Sequence, residues 1–133
     1  MSLIRSMLVL VCSALFSISA VAAEAASGPL LNIPLTELPE NAELLVLEIN
    51  LEPGQESAPH RHNGYVFVYV LEGRVNMQVE GGKIVTLSAG QTFYENPNDI
   101  HTMSQNASDT EPAKFIAYII KTLGAPVSIP VQP

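Results

Sequence analysis

Hydrophobic and polar positions alternate most cleanly over residues 74–80, where Arg74, Asn76, Gln78 and Glu80 are polar and Val75, Met77 and Val79 are apolar. A period of two predicts a strand with one face buried, and Gly81-Gly82 just after it predicts a hairpin turn. Upstream, Tyr65 to Leu71 is apolar on both parities. That pattern predicts a strand covered on both faces, one by the core and the other by a partner subunit. Glu43 to Glu52 mixes apolar runs with alternation and stops at Pro53-Gly54, which predicts a strand ended by a turn. Four further strands are expected over Lys83–Leu87, Gln91–Glu95, Ile100–Gln105 and Ala113–Lys121. Ser88-Ala89-Gly90, Asn96-Pro97-Asn98-Asp99 and the stretch from Asn106 to Pro112 separate them. Asn63-Gly64 is a strong hairpin signal, and no stretch after residue 22 sustains a helical period.

Short strands at intervals of about ten residues, divided by turn residues, predict an all-β chain folded as an antiparallel sandwich or closed barrel. A single such domain is expected over residues 43–123. Residues 23–42, broken by Gly28-Pro29, Pro34 and Pro39, read as a linker and edge segment. Residues 124–133, with Pro126, Pro130 and Pro133, read as an extended arm.

The head of the chain has a different character. Arg5 is followed by an apolar run from Met7 to Phe16 and then by small residues ending Ala20-Val21-Ala22, the order of a cleaved export signal. On this reading the protein is exported, to the periplasm or outside the cell, and has no membrane segment once residues 1–22 are removed. The 111 residues that follow Ala22 suit one domain. They hold no cysteine, because Cys12 is the chain's only one. Processing removes one of six basic residues and none of 13 acidic ones, which leaves a formal charge of −8. An acidic chain with no basic cluster is a poor partner for nucleic acid or an anionic membrane, so small molecules or other proteins are the expected partners.

Candidate chemistry is concentrated in three histidines. His60 and His62, at i and i+2, place both imidazoles on one face of an extended strand; His101 follows the turn at residues 95–99. Three neutral imidazoles suit a divalent transition metal (iron, zinc, manganese, nickel or copper) and suit calcium or magnesium poorly. Gln55, Glu56, Glu95 and Gln105 are candidates to orient the rings from behind, as ligand histidines require. No Gly-x-Ser-x-Gly motif is present, and nothing marks a serine or cysteine nucleophile.

Gly54-x5-His60-x-His62 followed by Gly73 resembles the first signature motif of the cupin superfamily, and Gly90 to Asn106, with Pro97 and His101 inside it, resembles a shortened second one. Departures are visible. The glutamate that commonly stands four residues after the second histidine is Val66, and the glycine two after the proline is Asp99. His101 lies one position closer to Pro97 than the family pattern has it. The resemblance implies a jelly-roll barrel with His60, His62 and His101 as metal ligands. It also implies oxidoreductase chemistry of the three-histidine dioxygenase kind on small anionic or dicarbonyl compounds. A non-catalytic barrel that binds or senses a small ligand is the alternative, favoured by the apolar Val66 where a ligand carboxylate is usual. The two-sided apolar strand adds a homodimer to the expectations.

Overall fold

The computed structural model describes residues 27–131; the proposed export signal over residues 1–22 lies outside them. Nine strands follow in chain order: β1 (Ala42–Leu51), β2 (His60–Arg61), β3 (Gly64–Glu72), β4 (Arg74–Val79), β5 (Val85–Ser88), β6 (Thr92–Glu95), β7 (Ile100–Asn106), β8 (Ala113–Thr122) and β9 (Ile129–Pro130). They form two antiparallel sheets, a four-stranded one ordered β1-β8-β3-β6 and a five-stranded one ordered β5-β4-β7-β2-β9. Among the described residues there is no helix.

Alternation explains which side chains meet between the sheets. Val66, Val68 and Val70 from β3 and Phe115, Ala117 and Ile119 from β8 are buried on one side; Val75, Met77 and Leu87 from β4 and β5 are buried on the other. Each buried aliphatic side chain of this size contributes about 1.5–3 kcal/mol. The alternating run at residues 74–80 contains β4, whose odd-numbered Val75 and Met77 are fully inside. Lys121, also buried, is held by the carboxylate of Glu43 and by the Ala125 carbonyl, so the charge at the end of the β1–β8 pair is compensated.

One expectation changes. Asn63-Gly64 is not a hairpin: β2 lies in the five-stranded sheet and β3 in the four-stranded one, so this dipeptide is a corner between sheets. Gly64 is required there by close approach, since a Cβ at this position would sit 2.2 Å from the Ile120 carbonyl oxygen. The outer face of β3 is covered in part by the chain itself. Leu30 and Leu31 share a surface depression with Phe67 and Tyr69, and Thr92 Oγ1 donates to the Leu30 carbonyl at 3.5 Å. The hairpin expected at Gly81-Gly82 is present, joining β4 to β5, with Gly81 at φ +75°.

Candidate metal centre

β2 is only two residues long, but it lies between β7 and β9, and its register sets His60 directly opposite His101. His62 follows two residues after His60, at the corner that leads into β3. Its carbonyl accepts from Asn98 N at 3.0 Å, which ties the β6–β7 turn to the histidine pair. Ring centroids of His60 and His62 are 4.9 Å apart, and those of His60 and His101 are 5.3 Å apart. One nitrogen from each of the three rings lies within 4.8 Å of one from each of the others.

The opposite side of each ring has an oxygen beside it. His60 Nδ1 donates to the Ala58 carbonyl at 2.8 Å, His62 Nδ1 donates to the Val127 carbonyl, and His101 Nδ1 stands 3.2 Å from Glu95 Oε1. An Nδ1–H held by an acceptor leaves Nε2 with the lone pair a metal needs. His101 Nε2 is buried without any hydrogen-bond partner. A polar atom left in that state costs free energy, and an ion between the three rings would satisfy it. The residues present therefore fit a divalent transition metal held by His60, His62 and His101.

Burial decides the protonation states. His101 is pushed down to about 4, first by desolvation and then by the neighbouring His60 and His62. Desolvation also lowers His62. Glu95, 1% exposed, is pushed up to about 8 by desolvation, with Asp99 adding to the effect. At neutral pH in the metal-free protein, the contact between Glu95 and His101 thus joins a neutral carboxyl to a neutral imidazole and is not an ion pair. Low-pKa imidazoles are the form that binds metal.

The histidines open on a cavity of about 290 Å³ between the sheets, walled by Val66, Val68, Phe115 and Ile119, with Ser57 and Ser104 as polar points. Among the described residues, no lysine or arginine lines it.

Of the four residues expected behind the rings, only Glu95 is there. Gln55 is exposed, and its side-chain oxygen accepts from Glu52 N; Glu56 is also exposed and forms a backbone bridge to Gln105. Gln105 shares sequence parity with His101, but β7 has a bulge at Thr102 where its register against β4 shifts. Ser104 and Asn106 face inward after it, and Gln105 accepts a 3.5 Å hydrogen bond from Asn76 instead. A bulge turns every later side chain of a strand to the other face. Sequence reasoning also missed the Ala58 and Val127 carbonyls, because a backbone acceptor leaves no trace in residue type. Asn106 is structural: its Nδ2 donates to the carbonyls of Leu51, Glu52 and Glu111.

The family profile described as Cupin domain matches residues 47–119 of this chain. The chain is a cupin. Among curated proteins it is similar to the beta-alanine degradation protein BauB of Pseudomonas aeruginosa, 35% identical over 74 residues that make up 54% of this chain and 77% of that protein. A conserved double-stranded β-helix protein of Klebsiella pneumoniae superimposes with a TM-score of 0.55 at 21% identity, covering 74% of this cupin and 81% of that chain. The salicylate 1,2-dioxygenase of Pseudaminobacter salicylatoxidans superimposes with a TM-score of 0.52 at 26% identity; 57% of this cupin corresponds to only 21% of that enzyme.

Proposed function

We propose that this cupin is an exported metalloprotein that holds a divalent transition metal through His60, His62 and His101 and carries out oxidative chemistry on a small chelating carboxylate or dicarbonyl compound. The observation that carries the reading is the set of three imidazoles around one point, each with its Nδ1 beside an oxygen and with His101 Nε2 buried and unpartnered. When bound, such a metal supplies a Lewis acid and a site for dioxygen or substrate oxygens. The protein's own contribution is to hold the rings and to offer beside them a cavity of about 290 Å³ with apolar walls from Val66, Val68 and Phe115. With no basic residue among the described residues of the lining, an anionic head group would find its positive partner at the metal. That favours compounds able to chelate it and apolar beyond the chelating end. The dioxygenase among the structural relatives acts on salicylate, and beta-alanine, named for the curated relative, is a small carboxylate. Both support this class.

The test is oxygen consumption by the iron-loaded protein with a panel of diketones, thiols, aromatic acids and short aliphatic acids. Consumption with at least one member, abolished in His62→Ala, is expected. The second reading, a binding or sensing module without turnover, is favoured by Val66, which puts an apolar wall beside the histidines. It predicts a ligand-induced rise in melting temperature of the metal-loaded protein from members of the same panel, with no oxygen consumed. The apolar run from Met7 to Phe16 and the small residues before Glu24 support the assignment to the periplasm or the cell exterior.

A further inference from the structure

Among the described residues, Glu95 is the one acidic side chain buried to this degree, at 1% exposure, and no lysine or arginine is paired with it. A carboxyl group at such a depth is costly unless something compensates it. Its Oε1 faces His101 Nδ1 at 3.2 Å, and its Oε2 is buried with no partner. The other two histidines have backbone carbonyls at the equivalent place, from Ala58 and Val127. Only at His101 is the facing oxygen supplied by a side chain.

The position of Glu95 follows from the sheet. In β3 and β6, Val66 and Glu95 are directly opposed. Opposed side chains of an antiparallel pair leave the same face, with Cβ atoms about 4.5–5.5 Å apart. Glu95 therefore enters the barrel beside the apolar residue at position 66, one strand over, and stands on the Nδ1 side of His101. The three donors that lie within 4.8 Å of one another are all histidine nitrogens.

We propose, on the basis of the three-histidine reading above, that Glu95 is the positioning carboxyl group of this metal site: Oε1 takes the Nδ1–H of His101, which fixes the ring and presents Nε2 to the ion. It is not itself a ligand. Glu95 and His101 act as one unit, with the carboxyl group placed on β6 directly opposite the apolar Val66 of β3.

The experiment measures Co²⁺ affinity by chelator competition, together with the visible Co²⁺ spectrum, for the wild-type chain, Glu95→Gln and His62→Ala. Glu95→Gln is expected to bind Co²⁺ about 10–100-fold more weakly with the same pattern of visible bands, because the donors are unchanged. An affinity within twofold of wild type overturns the proposal, and so does a changed band pattern, which would mean that Glu95 ligates the ion itself. If the wild type takes up no Co²⁺, or His62→Ala binds it equally well, the three-histidine reading falls first and this proposal with it. Nitrogen-15 NMR of the zinc-loaded wild type needs no variant and decides the case even if Glu95→Gln does not fold. His101 protonated on Nδ1 is expected, and His101 protonated on Nε2 overturns the proposal.

Discussion

Glu95 and His101 pull the stability of the metal-free protein in opposite directions as pH changes. In the unfolded chain a glutamate releases its proton near about pH 4.3 and a histidine near about 6.5, whereas in the fold Glu95 keeps its proton up to about 8 and His101 refuses one down to about 4. Where the native state binds the extra proton, rising pH drains stability; where the unfolded state binds it, rising pH adds stability. Between about pH 4.3 and 6.5 the two effects offset. His62, whose affinity for a proton is also lowered by burial, then tips the balance so that stability rises toward 6.5. From about 6.5 to 8 the Glu95 effect stands alone, and stability falls with a slope approaching about 1.4 kcal/mol per pH unit. Urea unfolding in the presence of a chelator should therefore show a maximum near pH 6.5, and Glu95→Gln should remove the decline above it. A wild-type profile flat from pH 6.5 to 8 would contradict the burial argument. At this scale the sequence discloses His60 and His62 through their spacing. It gives no sign that Glu95 is the important one of four polar candidates, because that depends on the strand pairing that puts it opposite Val66.

Among the elements, the strands were legible wherever alternation was unbroken, as in β4, or bounded by turn residues, as in β6 and β8. What alternation does not reveal is which sheet a strand joins. Asn63-Gly64 has hairpin chemistry but serves as a corner, and the determining fact is the 2.2 Å approach of Ile120 O to a Cβ at residue 64, made by a strand distant in sequence. Replacing Gly64 with alanine should thus cost about 1–3 kcal/mol, seen as a lower urea midpoint. It should also loosen the metal site, since His62 lies two residues away. An unchanged midpoint would mean that the corner has room. The bulge at Thr102 is equally silent in sequence: it reverses the parity of β7, so that Ser104 and not Gln105 faces the cavity.

For the molecule as a whole, the outer face of the four-stranded sheet carries an apolar row running through Val46, Tyr118, Phe67 and Tyr94, in register across all four strands. Val46 and Tyr118 are 49% and 40% exposed, and Leu44 beside them is 62% exposed. We propose that a second copy of the chain covers this face. Sizing with light scattering should then give a dimer at micromolar concentration, converted to monomer by Val46→Glu with Tyr118→Glu; a wild-type monomer would end the proposal. The fold supports all this, but the fold alone serves many chemistries, and the functional account stands on three imidazoles sharing an ion. The most direct measurement is the transition-metal content of the protein purified without an affinity tag, beside that of the His60→Ala, His62→Ala double variant. About one ion per chain in the wild type and none in a double variant that keeps its β-sheet circular dichroism is the expected result. A wild type that neither carries a transition metal nor takes one up, or a double variant that retains it, would contradict the account.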